Sequence, residues 1–315
     1  MPPLYSVIVA AYNEERFIAS ALSSVLAQTH VDFELIVVDD GSTDGTVAAV
    51  APFEADPRVK LISQPNKGLS AARNTGIEAG ESERVAFLDS DDLWLPDYLE
   101  KAHAALEAHP KAGFAYTDAW LLQDDNGRFY RNAAMADQNP PQVPPEDPHA
   151  MLRLLMERGN FIFVSVTARR QALDAAGYFK PELKACEDLD EWIRILACGY
   201  GAVRLGDRQA IKRVLGTAMS SNLRNMTTNL GRVCLLTETE YDVPDDVKAL
   251  AHRTRASIDH DLAALDSRFS ARAAWLALRA RLGDLNKKLA GRSLYLDEAP
   301  VEVAAAFPEL AKPRS

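Results

Sequence analysis

Cysteine is scarce in this chain: three residues, Cys186, Cys198 and Cys234, in 315. They are odd in number and far apart, with no metal-ligand spacing and no disulfide framework, so a reducing cytosol is the expected compartment. No apolar run approaches the ~20 residues a membrane span needs. A basic excess is also missing. The net charge of −10 argues against general nucleic-acid binding. The start, Met1-Pro2-Pro3-Leu4-Tyr5-Ser6, has neither a basic n-region nor a long apolar core, so it does not read as a secretory leader. Internal repeats and low-complexity tracts are lacking. What remains is ordinary for a globular protein, with 47% hydrophobic and 25% charged residues. The length allows roughly two domains.

What the chain does have is two short acidic runs, each closing an apolar stretch. Phe33-Glu34-Leu35-Ile36-Val37-Val38 leads into Asp39-Asp40-Gly41-Ser42, and Arg84-Val85-Ala86-Phe87-Leu88 into Asp89-Ser90-Asp91-Asp92. A β-branched run ending in carboxylates puts charge at the carboxyl edge of a parallel sheet, where open α/β folds bind ligands. Carboxylates crowded there repel one another unless a cation joins them.

The first hundred residues alternate strand and helix signals. Ser6–Ala10, Leu35–Val38, Val59–Ile62 and Val85–Leu88 read as strands. Asn13 is placed to cap a helix with Phe17, Ile18, Leu22, Val25 and Leu26 on one face. Ser42-Thr43-Asp44 offers caps for a helix to about Phe53, and Gly68 to Ala79 is helical in pattern. Pro96 suits the first turn of a helix running to about His109, and Phe114-Ala115-Tyr116 starts another strand. This order predicts an α/β fold with a mostly parallel twisted sheet and helices on both faces. Five prolines between Gln138 and Pro148 mark a loop. Helix and strand signals return at Ala150–Glu157 and Phe161–Thr167. Glu187–Cys198 is an amphipathic helix with Leu189, Trp192, Ile193 and Leu196 inward. After about Ser220 only helices are expected, with a break at Pro244.

At Asp89-Ser90-Asp91-Asp92, two carboxylates one residue apart suit a hard divalent cation that keeps positions open for phosphate oxygens. A helix cap before Leu93 would need only one Asp. Asp39-Asp40-Gly41-Ser42 reads equally as a turn with a cap, or as a carboxylate accepting from a nucleobase N–H.

Taken together, the motifs carry a resemblance. Ser6-Val7-Ile8-Val9-Ala10-Ala11-Tyr12-Asn13-Glu14, then Val37-Val38-Asp39-Asp40-Gly41-Ser42-Thr43-Asp44-Gly45, resemble the opening of family 2 glycosyltransferases. Asn66-Lys67-Gly68-Leu69-Ser70-Ala71-Ala72-Arg73-Asn74-Thr75-Gly76 and Phe87-Leu88-Asp89-Ser90-Asp91-Asp92 continue it. Cys186-Glu187-Asp188-Leu189-Asp190-Glu191-Trp192 resembles the family's Glu-Asp catalytic motif. The likeness covers about residues 4 to 220.

The resemblance implies a GT-A fold and an inverting transfer from a nucleotide diphosphate sugar, UDP first, with GDP and dTDP open. It implies Tyr12 beside the base, Asp40 bonded to it, and Asn66 and Arg73 near the nucleotide or its phosphates. Ala10, Glu14 and Ser90, in the same motifs, join the nucleotide-sugar contacts. Asp91 is the first choice as ligand of Mn²⁺ or Mg²⁺. Asp89 approaches the ribose or the metal, and Asp92 is a ligand or a cap. Asp188 is the candidate general base, with Glu187 orienting the site. A carboxylate of ordinary pKa, about 3.9, suffices as base if proton transfer is late, so position matters more than basicity.

One departure stands out. The family often carries an Arg-x-His element after its last core strand. Here Lys212-Arg213-Val214-Leu215 keeps Arg213 for phosphate charge and puts Leu215 at the histidine position. The tail adds a second signal. Between Arg268 and Arg292 seven basic residues face one acid, Asp284, while Trp275, Leu278, Leu282, Leu285 and Leu289 recur at helical spacing. This stripe fits packing onto the catalytic domain or a second subunit, in a homo-oligomer, or peripheral contact with the inner face of a membrane.

The expected organisation is a catalytic domain over 1–218, with a nucleotide half to 110 and an acceptor half from 111, then a helical extension over 219–315. The expected partners are a nucleotide diphosphate sugar and a carbohydrate, lipid-linked or protein acceptor in cell-envelope, polysaccharide or glycoconjugate synthesis. Two rivals are a sugar-phosphate nucleotidyltransferase, disfavoured by the lack of a Gly-rich, Lys-containing signature near the N-terminus, and a non-catalytic nucleotide-sugar-binding module.

Overall fold

The computed structural model describes residues 2–123, 128–131, 143–162, 165–215, 222–266 and 299–310. The basic stripe at 268–292 and the first part of the proline-rich stretch, 138–142, lie outside the described residues.

Among the described residues nine strands form one sheet. They are β1 (Tyr5–Ala11), β2 (Phe33–Asp39), β3 (Val59–Ser63), β4 (Arg84–Phe87), β5 (Leu93–Trp94), β6 (Ala112–Gln123), β7 (Arg128–Arg131), β8 (Val166–Arg169) and β9 (Gly201–Val214). Their spatial order is β3-β2-β1-β4-β8-β6-β9-β5, with β7 paired to β6. The pairings β1–β2, β2–β3, β1–β4 and β6–β9 are parallel. Only β8, β7 and β5 run against this sense, since each pairs antiparallel with its neighbours. The expected mostly parallel α/β sheet is therefore present.

Every residue of β1 is buried, as required of a central strand covered on both faces. Its side chains alternate between two cores. Tyr5, Val7 and Val9 pack with Ile18, Leu22 and Val25 of α1 (Ile18–Leu26), and with Tyr98, Leu99 and Leu106 of α4 (Tyr98–Ala108). Ile8 faces the other core, with Phe87 and Phe114, Ile77 of α3 (Leu69–Ala79), Leu152 of α5 (Pro148–Arg158), Leu173 of α6 (Arg170–Ala176) and Trp192 of α7 (Glu187–Ala197). The second core continues into α8 (Leu223–Thr239) and α9 (Asp245–Asp266) through Val233, Val247, Ala251 and Ile258. A last helix, α10 (Val301–Ala306), docks by Val303 on Trp120 and Ile211, and Trp120 Nε1 donates to Glu302. Among the described residues no helix is long and apolar enough to cross a membrane.

Two local expectations change. Asn13 does not cap α1, whose start at Ile18 lacks a side-chain cap. Its own φ is +58°, and its Oδ1 accepts from Thr43 N at 2.8 Å. Asn13 thus ties the loop after β1 to the loop after β2. The helix expected up to Phe53 stops early: α2 (Thr46–Val50) gives way to a 3-10 turn over Ala51–Ala55, which contains Pro52. Asp44 does serve as a local cap, accepting from Thr46 N at 3.0 Å.

Strand order reverses between β1 and β4, and open α/β sheets bind ligands at the carboxyl edge of such a switch point. The loops after β1, β2 and β4 all reach it, and so does the end of β9, because β5 pairs Leu93 with Ile211.

Candidate active site

The loop after β2 is built for close approach. Gly41 has φ +77°, and a Cβ there would meet Asn66 N at 2.8 Å. Only glycine accommodates both constraints. Asp40, 3% exposed, holds the facing loop. Its Oδ1 accepts from Gln64 Nε2 (2.7 Å) and Lys67 N (2.9 Å), and its Oδ2 accepts from Gly68 N (2.7 Å). The carboxylate expected to meet a base is thus bonded to the loop that carries exposed Asn66. Tyr12 presents its ring at the surface, 48% exposed. Ala10 is buried with Ile36, Val38 and Ala72, and Ser90 is buried as well.

Arg73 projects from α3 and is 2% exposed. Its Nη1 donates to Glu187 at 2.7 Å, and its Nη2 to Asp89 Oδ1 at 2.9 Å. The guanidinium lies 5.2 Å from the Phe179 ring centroid. Two motifs more than a hundred residues apart therefore meet on one side chain. Burial opposes its charge, and the pull of Asp89, Glu187 and Asp188 outweighs burial, so its pKa is raised.

Asp89, Asp91 and Asp92 each offer an oxygen within 4.8 Å of the others, an all-oxygen set suited to a hard divalent ion. They are not equally free. Asp92 Oδ1 accepts from Arg213 N at 2.9 Å, and Lys212 Nζ stands 3.4 Å from Asp92 Oδ2 and 3.7 Å from Asp89 Oδ2. Asp91 carries no ion pair among the described residues. The Arg213 guanidinium donates to the Asp91 backbone carbonyl and to Ser20 Oγ (3.3 Å), and lies 5.0 Å from the Phe17 ring centroid. Leu215, at the expected histidine position, is half-buried just past β9.

The acids strain one another. Burial first, then Asp89, pushes the Asp91 carboxyl up. Burial lifts Asp92 to about 8 although Lys212 pulls it down. Glu14 rises to about 7 through burial and then the charges of Asp91, Asp44 and Asp89. Lys212 is held well above its usual value, chiefly by Asp92.

Glu187 and Asp188 open α7, where carboxylates suit the positive end of the helix dipole. Trp192 anchors that helix against Phe114 (5.2 Å between ring centroids). Asp188 accepts from Asn160 Nδ2 at 2.9 Å and from Leu189 N at 2.8 Å. Burial, then Glu187, lifts Asp188 to about 6 against the pull of Arg73. Asp188 is thus a better base than an ordinary aspartate, poised near neutrality.

The fold brings Asp89, Asp91, Asp92, Arg73, Glu187, Asp188 and Arg213 into one connected network. Lys212, Asn160 and Phe179 also belong to it. Asn160 and Phe179 carry no motif signal in the sequence, and the one cue for Lys212 is its place beside Arg213.

The profile of Glycosyl transferase family 2 matches residues 6–173. The teichuronic acid biosynthesis glycosyltransferase TuaG of Bacillus subtilis, so described, is 30% identical over 224 residues, 70% of this chain and 82% of that protein. Other curated glycosyltransferases align over between 16% and 40% of their own length. Among solved structures, S. aureus TarS 1-349 in complex with UDP-GlcNAc superposes with TM-score 0.63 at 20% identity, over 90% of this chain and 81% of that one. The mannosyltransferase PcManGT from Pyrobaculum calidifontis, in complex with GDP-Man and Mn²⁺, gives TM-score 0.62 at 23% identity, over 92% of this chain and 84% of that one. With the motifs assembled at one sheet edge and the family profile covering more than half its length, the chain belongs to glycosyltransferase family 2 and has the GT-A fold.

Proposed function

We propose that this enzyme moves a sugar from a nucleotide diphosphate sugar, UDP first, to an acceptor hydroxyl with inversion, in cell-envelope polysaccharide synthesis. The observation that carries the reading is the Arg73 bridge, which couples the acidic edge after β4 to the Glu187-Asp188 pair. TuaG, described as acting in teichuronic acid biosynthesis, supports the envelope setting. The TarS complex supports a UDP donor, and PcManGT a GDP donor, so the nucleotide is part of the test.

In this reading the nucleoside lies between Tyr12 and the loop anchored by Asp40. The diphosphate faces Arg213 and the acids after β4. The donor set fits a divalent ion, with Asp91 and Asp89 as holders and Asp92 next to them. Bound there, Mn²⁺ or Mg²⁺ would offset negative charge on the departing diphosphate. Asp188 accepts the proton of the acceptor hydroxyl. That oxygen bonds to the anomeric carbon as the bond to the diphosphate breaks, and the nucleoside diphosphate leaves. Asn160 holds one Asp188 oxygen in place. Glu187 is held by Arg73 at 2.7 Å, so it orients the site beside Asp188. One displacement from the face opposite the leaving group inverts the anomeric carbon, through charge resembling an oxocarbenium ion.

A thermal-shift panel of nucleotide sugars with Mn²⁺ tests the reading. A donor at 100 times its Kd should add about 2.7 kcal/mol of stability. A panel in which no nucleotide sugar raises the unfolding temperature would overturn it. Pyrophosphate release from a nucleoside triphosphate and a sugar phosphate would support nucleotidyl transfer instead.

A further inference from the structure

Lys212 is an ammonium already seated in the acidic edge. It leaves β9 directly before Arg213, at the point where β9 passes the Asp89–Asp92 turn. Its ammonium is 3.4 Å from Asp92 Oδ2 and 3.7 Å from Asp89 Oδ2, and its side chain is 29% exposed. The remaining oxygens of these two acids are spoken for: Asp89 Oδ1 by Arg73 and Asp92 Oδ1 by Arg213 N. A divalent ion recruited to Asp91 and Asp89 must therefore share Asp89 Oδ2 with the ammonium. Two cations at one carboxylate oxygen repel, and a flexible lysine stem can swing while its charge stays local.

We propose that Lys212 competes with the divalent ion for the acidic edge and itself binds the donor's diphosphate, so that nucleotide binding survives metal removal. This rests on the donor site proposed above. The ammonium supplies one fixed positive charge where phosphate oxygens arrive. It also lowers the site's affinity for free metal. Leu215, half-buried where an imidazole could have added a metal ligand, agrees with a site that leans on its own side-chain cations.

The test compares the wild type with Lys212→Met, which keeps the stem and removes the charge. Removing the charge leaves Asp92, 4% exposed, without its cation. A double variant, Lys212→Met with Asp92→Asn, therefore guards against a fold lost to an unpaired buried acid. Mn²⁺ affinity without nucleotide is read by electron paramagnetic resonance. UDP, GDP and dTDP are first screened on the wild type, and the nucleotide that binds is titrated calorimetrically in EDTA and in Mn²⁺. Lys212→Met should bind Mn²⁺ at least about tenfold more tightly, and should lose at least about tenfold of its nucleotide affinity in EDTA. The double variant, melting like the wild type, should show the same loss in EDTA. Unchanged or weaker Mn²⁺ binding by Lys212→Met, or equal nucleotide affinity in EDTA across the three proteins, overturns the role of Lys212. If no nucleotide binds the wild type under either condition, the donor-site reading fails, and the Mn²⁺ titration still decides the competition.

Discussion

Replacing Arg73 by Met removes the bridge between the two halves of the site. The side chain is nearly volume-matched and apolar, so what is lost is mainly charge. Arg73 and Glu187 are 3% and 7% exposed, and they meet at 2.7 Å. Asp89, at 21%, retains some water and loses less. Breaking a buried pair by removing one partner costs about 3–5 kcal/mol, because the other charge stays buried and unpaired. With an m-value of about 3 kcal/mol/M, the urea midpoint should fall by roughly 1–1.7 M. Adding Glu187→Gln to Arg73→Met should restore much of the loss, since no buried carboxylate is then stranded at that end. There is a catalytic consequence too. Arg73 is the charge that pulls the Asp188 pKa down, so its removal should move the acid limb of kcat to higher pH. Equilibrium urea unfolding of the three proteins, followed by kcat against pH, makes the measurement. A single variant within about 1 kcal/mol of the wild type, or a double variant less stable than the single, would refute a stabilising bridge.

Other outcomes follow from the same geometry. Asp188→Asn should keep donor affinity and lose about 10²–10⁴-fold in kcat, measured by calorimetry and initial rates; near wild-type transfer would place the base elsewhere. In the wild type, kcat should rise with pH through about 6, because the base works only when ionised and burial lifts it there; a limb near pH 4 would contradict that environment. Asp91→Ala should abolish the increment that Mn²⁺ adds to nucleotide affinity, and an undiminished increment would remove Asp91 as a holder of the ion. Asp40→Ala strands the Lys67 and Gly68 amides, so their hydrogen exchange should accelerate by at least about tenfold, for a loss of roughly 1–3 kcal/mol.

The central strands were legible because they are buried on both faces. Ser6–Ala10, Leu35–Val38 and Val85–Leu88 read as continuous apolar runs and lie in β1, β2 and at β4. The amphipathic pattern of Leu189, Trp192, Ile193 and Leu196 likewise marked α7. β5 has two residues, and β9 carries an irregularity mid-length around Gly206-Asp207, where the β6–β9 register shifts. Neither shape leaves a periodic trace. Asn13 has the chemistry of a helix cap, but its partner lies thirty residues away in another loop. Local propensity carries no information about that pairing. Of the site, the acids and Arg73 were visible as motifs at plausible spacing. Their connections were not. The Arg73 bridge, the Asn160 hydrogen bond to Asp188 and the Lys212 ammonium all depend on which strands pair and where α7 begins.

Donor turnover followed by proton NMR tests the core of this account most directly, because it needs no knowledge of the acceptor. With a nucleotide sugar selected by thermal shift and water as a slow acceptor, the first free sugar should carry the anomeric configuration opposite to that of the donor. Asp188→Asn should bind the same donor and release little. A first product with the donor's own configuration, or release unaffected by Asp188→Asn, would contradict a single displacement assisted by Asp188 at this sheet edge.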